Sequence, residues 1–480
     1  MAGESSNAPM TPHGVLRRAG AVAFWLVVWQ LASMAVGSEL LLAGPMAVLV
    51  RLVELMSTAG FWSTVGFSLA RIAAGFAVAF VLGLVLGLLA HRWRTLAELL
   101  APAVSFLKSV PIVCVIVLLL MWVGSVRVSA IAVFLAVFPA IYFSVLEGRS
   151  AADPGLGELL RVMGVPGWRR FLADTWQQLL PYLVATCRNA CGMAWKAGVA
   201  AELIGSPRGS MGERIYQAKL LLETGDLFAW TIVVVALSWA CERAFLAWLR
   251  STGCWALGAS VPRAAGERRR VAAPVPAGIA LEGVTLGYGD VAVATCDLVL
   301  APGSRAVLAD PSGAGKTTLI RTACGLLAPL AGRVLAPDWG GLSVQFQDSR
   351  LVEAMTAEQN VLLCSAGALS GGEAHALLAE LLPEDALGRP VAELSGGQRR
   401  RVELVRALAH PGAAVVLDEP FSSLDAVSHE AAAAFVTRHL GGRTLLVASH
   451  VSGDVELLHA APVRLGPARR EEWPRPSSAE

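Results

Sequence analysis

The sequence predicts a multi-domain chain: an all-α transmembrane domain of about six helices, followed by an α/β domain organised around a phosphate-binding loop. Three observations carry this. Of the 480 residues, 55% are apolar and 16% charged, with a mean hydropathy of +0.58, too apolar for a soluble protein of this size. Residues 310–318 read Asp-Pro-Ser-Gly-Ala-Gly-Lys-Thr-Thr, a glycine-rich loop before a lysine and two hydroxyls. Farther on, the apolar run Ala413–Leu417 ends in two carboxylates, Asp418 and Glu419. The net charge of +2 gives no nucleic-acid signature.

The apolar residues fall into six segments, at 20–37, 63–90, 99–123, 127–146, 182–204 and 228–248. About 20 apolar residues cross the hydrocarbon core of a bilayer. If the six alternate, Arg17, Arg18, Arg92, Arg94, Arg149, Arg161, Arg169, Arg170 and Arg250 share one side. Arg51, Arg127, Arg208, Arg214 and Lys219 share the other. The positive-inside bias then puts both termini in the cytoplasm. Arg17-Arg18 before the first segment also fit a secretory signal, but the spans that follow favour an uncleaved anchor.

These features divide the chain into a membrane domain over 1–250, a cytoplasmic linker over 251–276, an α/β domain over 277–467 and a disordered tail over 468–480. The linker holds Pro262, Pro274, Pro276 and the run Arg268-Arg269-Arg270. That run suits either lipid headgroup contact or a solvated connector. The eight cysteines lack any Cys-x-x-Cys spacing and read as reduced apolar residues. Lys108, Lys196, Lys219 and Lys316 are the only lysines, so a lysine inside the glycine-rich loop stands out.

In the α/β domain, Arg305–Ala309 is expected to be a strand and Lys316–Cys324 a helix. The loop between them, with Ser312, Gly313, Ala314, Gly315, Lys316, Thr317 and Thr318, would cradle phosphate oxygens on backbone N–H groups. Lys316 reaches the terminal phosphates and Thr317 binds Mg²⁺. Asp310 stands where the usual loop has its first glycine, and a carboxylate there repels phosphate unless it turns away. Asp418 would hold Mg²⁺ at the end of a buried parallel strand, and Glu419 would be the general base. Ser395, Gly396, Gly397 and Gln398 form a turn able to hydrogen-bond a γ-phosphate, followed by a helix to Ala409. A second Ser-Gly-Gly, at 370–372, reads instead as a helix capping box through Ser370 and Glu373.

In this order the motifs resemble the ATP-binding cassette family, over about residues 280 to 460. The resemblance implies that Tyr288 stacks on adenine and that Gln347 contacts Mg²⁺ facing the membrane domain. It also implies that Asp425, in Ser423-Leu424-Asp425, lies where paired cassettes cross, and that His450 meets the γ-phosphate. Within the membrane part, Glu158-Leu159-Leu160, Gly164 and Pro181 resemble the cytoplasmic loop motif of bacterial importer permeases, often Glu-Ala-Ala at its start. The run from Ala194-Trp195-Lys196 to Glu202-Leu203-Ile204, and Gly209–Glu213, is similar to permeases of the nitrate/sulfonate/taurine type. The family likeness makes 154–175 a coupling helix that docks on the cassette.

The resemblance implies an ATP-driven importer in the inner membrane, with ATP and Mg²⁺ sandwiched between two copies of the chain. Its expected partners are a second identical chain, an extracytoplasmic solute-binding protein, membrane lipid and a small solute, with no nucleic acid. Lys196 and Glu202 lie six apart on the fifth segment, about 240° around a helix, so they are not expected to pair. Lys196 is a candidate to meet an anionic or polar solute, and snorkelling or a helix-packing role accounts for it equally well. An ATP-dependent sensor that moves nothing, or an exporter, are the alternatives. The short loop at Arg92–Arg94 argues for import.

Overall fold

The computed structural model describes residues 12–38, 40–262, 275–311 and 313–467. Ser312, Arg268–Arg270 and the expected tail over 468–480 lie outside the described residues. The chain divides into two compact units. One holds the residues up to 151 with 179–251; the other holds 152–178 with the residues from 252 onward.

The first unit is helical: α1 Pro12–Val36, α2 Pro45–Met56, α3 Ala59–Arg92, α4 Arg94–Ser109, α5 Ile112–Val123 and α6 Ser125–Ser150 come first. After the excursion over 152–178, the chain returns through α8 Trp176–Gly205, α9 Met211–Leu220 and α10 Thr224–Ser260, with α7 Gly155–Val162 inside the excursion. By length and composition α3, α6 and α10 suffice to cross a membrane, and α4 with α5 would make a fourth. The third apolar segment is not one straight helix. Pro111 has no N–H to continue the ladder and forces Val110 into an extended conformation, ψ 130°. The chain turns there, and α4 and α5 meet at 105°.

Helices α3 and α6 pack closely because α3 presents glycine. A Cβ on Gly83 would lie 2.9 Å from the Ile141 side chain, and one on Gly87 would lie 2.8 Å from that of Val145. Small residues let backbones approach where no hydrophobic force separates helix from lipid. Glu202 is fully buried on α8. It pairs with Arg71 of α3, accepts from Ser68 Oγ at 2.7 Å and from Gly212 N–H at 3.3 Å. The separation of Lys196 and Glu202 holds: Glu202 is committed to α3 instead.

The second unit contains two sheets. The strands are β1 Ile279–Tyr288, β2 Val291–Leu300, β3 Arg305–Leu308, β4 Ala331–Leu335, β5 Leu342–Gln345, β6 Ala414–Asp418, β7 Thr444–Ala448, β8 Ala461–Val463 and β9 Gly466–Pro467. An antiparallel sheet runs β4-β1-β2-β9, and a parallel one runs β5-β6-β7-β3-β8. The sequence leads one to expect the parallel sheet; the hairpin-built antiparallel sheet is additional. Every residue of β6 and β7 is buried, which is why both are unbroken apolar runs. Their side chains alternate between two cores. Val416 and Leu446 enter one core; Val415, Leu417, Leu445 and Val447 enter the other.

Candidate nucleotide site

The phosphate loop joins β3 to a helix, α11, over Lys316–Ala323. Gly313 and Gly315 hold φ of +87° and +98°, a region side-chain-bearing residues enter at a cost. A Cβ on Gly315 would also lie 3.3 Å from the Ala294 Cβ on β2. The loop thus leans on the hairpin whose tip carries Tyr288, half-exposed there. The N–H groups of the first turn of α11 are left free for an anion, since no side chain caps them.

Asp310 resolves differently from the repulsion its charge suggests. It is not among the residues with positive φ, so this turn does not need the glycine. Its carboxylate Oδ2 accepts from Leu465 N–H at 2.9 Å, drawn to the chain end of the domain. Its carbonyl, in turn, receives the Lys316 ammonium at 2.6 Å.

Strand β6 delivers the two acids beside this loop. Thr317 Oγ1 donates to Asp418 Oδ2 at 2.9 Å, while Asp418 Oδ1 is buried with no hydrogen-bond partner. Burial, with Glu419 alongside, pushes the Asp418 carboxyl up to about 6 against the pull of the Thr317 bond. A buried, unpaired oxygen beside a threonine hydroxyl fits a hard cation, which would restore the charge balance. Glu419 holds φ +48°. Its side chain meets His450 Nδ1 at 2.6 Å and the Lys316 ammonium at 3.6 Å. Five expected residues, Lys316, Thr317, Asp418, Glu419 and His450, therefore converge. Thr318 is buried in the same helix, its carbonyl taking the Thr322 hydroxyl at 2.8 Å.

The remaining expected residues form a second group. Ser395 caps the helix Gly396–Ala409, here α12, with its Oγ accepting from Gln398 N–H at 3.3 Å, while Gln398 Oε1 accepts from Ser395 N–H at 2.9 Å. The capping box foreseen at Ser370 and Glu373 is present, but Ser395 and Gln398 form the same motif. Capping chemistry does not separate the two turns. What separates them is what lies alongside: a Cβ on Gly397 would be 3.1 Å from the Ser423 carbonyl, in the loop leading to Asp425. Asp425 caps the next helix, accepting from Ser428 N–H at 2.9 Å; those bonds hold its carboxyl below the ordinary range. Gln347 is exposed, and its carbonyl takes a bond from Arg400.

Arg400 was not foreseen, and it ties the groups together. From α12 it donates to the Phe346 carbonyl at 2.7 Å and to the Gln347 carbonyl at 3.2 Å. It also reaches the Asp418 and Glu419 carbonyls, both at 2.5 Å, and pairs with Glu403 at 2.9 Å. The sequence does not single it out, because Arg400 is the middle of the run Arg399-Arg400-Arg401 and nothing local says which of the three turns inward. Arginine, with five donors in a fixed fork, suits several carbonyls at once.

The excursion over 152–178 packs within the same unit. Leu159, Leu160, Val162 and Met163 share a core with Val344, Val416 and Leu446. Glu158 is held by Arg321 at 2.8 Å and Arg350 at 3.1 Å, and Arg350 also donates to the Gly155 carbonyl at 3.0 Å. Gly164, at φ +67°, would place a Cβ 2.6 Å from Gly340 Cα, so backbone meets backbone. His410 Nε2 donates to the Met163 carbonyl at 2.9 Å, with Nδ1 3.1 Å from the Ser343 hydroxyl. Burial pushes the His410 imidazole down to about 4, so it is neutral.

The family described as "ABC transporter" matches residues 293–422. The family described as "Binding-protein-dependent transport system inner membrane component" matches residues 79–248. The thiamine import ATP-binding protein ThiQ of Yersinia pestis is 37% identical over 174 residues, covering 33% of this chain and 74% of that protein. The aliphatic sulfonates import ATP-binding protein SsuB of Burkholderia ambifaria is 40% identical over 178 residues, covering 36% of this chain and 54% of that one. SsuB 3 of Paraburkholderia xenovorans is 36% identical over 189 residues, covering 38% and 75%. A phosphate loop, an acid-ended strand and the helix Gly155–Val162 packed on the same core agree with these likenesses, and the chain belongs to the ABC transporter family as a permease fused to a cassette that hydrolyses ATP to drive transport.

Proposed function

We propose that the protein imports a small solute across the inner membrane, working as a homodimer with an extracytoplasmic solute-binding protein. The permease domain spans 1–250, the cassette 277–467 and the tail 468–480, with both termini cytoplasmic; the linker expected over 251–276 begins inside α10, which runs to Ser260. One observation carries the reading: Glu419 stands at the end of β6 between His450 and Lys316, while Glu158 of the permease stretch is gripped by two arginines of the cassette. The residues read as base and handle, Glu419 and Glu158, are thus parts of one packed unit.

In this scheme the loop N–H groups with Lys316 bind the phosphates, and Tyr288 stacks on the adenine. Mg²⁺ would be held by Thr317, Asp418 and Gln347, where it would neutralise charge on the transferring phosphoryl group. Glu419 takes the proton of the attacking water, and His450 orients Glu419 through Nδ1. Ser395, Gly396, Gly397 and Gln398 contact nucleotide held by the partner's phosphate loop, with Asp425 at the crossing. One chain supplies one of each half-site, so two chains make two composite sites. Closure draws on Arg321 and Arg350, which pull Glu158 and move the permease helices.

The test is uptake into proteoliposomes with the binding protein. Uptake is expected in the intact chain and to vanish in Lys316→Ala. Uptake indifferent to that substitution would sink the proposal.

A further inference from the structure

We propose that His429 is a positioning residue for ATP hydrolysis, one member of a closed circuit of contacts that holds the Glu419–His450 pair from behind. This rests on the reading of Glu419 as base and of His450 as the residue that orients it, and it assigns what keeps the two in place.

The circuit starts at the pair. His450 Nδ1 lies 2.6 Å from Glu419 Oε2, yet the His450 side chain is 56% exposed. No packed wall fixes that imidazole, so its place is set by its backbone. One hydroxyl holds the backbone on both sides of it. Ser449 Oγ accepts from Val451 N–H at 3.1 Å and donates to Asp454 Oδ2 at 2.5 Å. The Ser449 N–H donates to the Leu308 carbonyl, the last of β3, at 3.2 Å.

Asp454 is 1% exposed, and a carboxylate so buried requires a partner for its charge. Its second oxygen, Oδ1, accepts from His429 Nε2 at 2.6 Å. His429 stands in the first turn of the helix Ala426–His439, here α13, where its N–H donates to the Asp425 carbonyl at 2.8 Å. Its imidazole stacks on the ring of Phe421, with centroids 4.7 Å apart and an interplanar angle of 25°. Phe421 is buried and lies two residues beyond Glu419. The path therefore closes on itself: Glu419, Phe421, His429, Asp454, Ser449, His450 and back to Glu419.

An apolar side chain at 429 would still pack on Phe421, but it would leave Asp454 Oδ1 bare in a buried place. The carboxylate would then turn toward water and draw Ser449, and with it the backbone of His450, out of line. A misplacement of about 1 Å, caused far from the reacting atoms, costs up to about a hundredfold in rate.

The test is MgATP hydrolysis by the full-length protein in nanodiscs, with rates taken per folded molecule so that lost stability does not pass for lost positioning. His429→Leu should lower kcat by about tenfold to a hundredfold, with KM for MgATP unchanged because the phosphate loop is untouched. His429→Arg, whose guanidinium can donate to Asp454 and stack on Phe421, should restore most of the rate. In a His450→Ala background the leucine should cost nothing more, since His429 acts through His450. Full kcat in His429→Leu, a loss confined to KM, or losses that multiply in the double variant would each overturn the circuit. If Glu419→Gln and His450→Ala both turn over at the unaltered rate, the reading of the pair fails and takes the circuit with it. If those two are slow while His429→Leu is not, the circuit alone falls.

Discussion

Glu202 and Glu419 are both buried carboxylates, held in opposite ways. Glu202 is sealed in the first unit with its capacity spent: Arg71, the Ser68 hydroxyl and the Gly212 N–H all face it. Glu419 sits on a left-handed backbone, φ +48°, a conformation costing about 1–3 kcal/mol for such a residue. It persists because Arg400 pins the carbonyls of Asp418 and Glu419, and because Glu419 N–H donates to the Ala448 carbonyl at 2.8 Å. Its carboxylate meets a half-exposed histidine and a lysine at longer range. A saturated acid braces helices; an acid held by its backbone keeps its oxygens for chemistry.

The largest expected effect breaks this contrast on the Glu419 side. Glu419→Gln should lower MgATP hydrolysis by about 10²–10⁴-fold, leave the melting temperature unchanged, and trap an ATP-bound dimer visible by light scattering. Turnover near that of the unaltered protein would remove Glu419 from the role of base.

On the Glu202 side the expected loss is in stability. Arg71→Ala leaves a buried charge uncompensated, at about 3–5 kcal/mol, read as denaturant sensitivity in detergent. Replacing both residues by apolar ones, Arg71→Met with Glu202→Leu, should recover most of that. Hydrolysis per folded molecule should hardly move in either case. A large drop in turnover with stability intact would mean that Glu202 serves the cycle and does not merely brace it.

His410 sharpens the same distinction by pH. Its imidazole is lowered by burial to about 4 in the fold, against about 6.5 in an unfolded chain. The unfolded chain therefore takes up the proton first, and stability falls as pH drops from about 6.5 through 4, by on the order of 3 kcal/mol in all. Melting curves for His410→Asn should be flatter over that window. An identical pH slope in the variant would show that other groups carry the acid sensitivity.

The smallest effect on stability is expected at Glu158, whose two ion pairs are partly exposed. Glu158→Gln should cost about 1 kcal/mol or less. Uptake should nonetheless fall relative to hydrolysis, since the handle slips while the base is intact. Parallel losses in both would argue against a coupling role.

Local chemistry was readable where it is written in consecutive residues. The phosphate loop and the acid-ended strand emerge as expected, because glycine placement and apolar runs are short-range properties. The third apolar segment shows the limit. Its composition passes for a span, yet Pro111 turns it by 105°, and only packing decides whether a proline kinks a helix or ends it. The two Ser-Gly-Gly turns show another limit: both cap helices alike, and only the approach of Gly397 to Ser423 distinguishes the second.

The sequence by itself determined that this chain joins an apolar helical part to a phosphate-binding α/β part, since hydropathy and loop chemistry are local quantities. The tertiary structure alone decided that Arg71 answers Glu202 across 131 residues, that Arg400 gathers four carbonyls, and that Asp310 turns toward Leu465. A buried polar group must find its partner wherever the fold brings one near, and distance along the chain says nothing about where that will be.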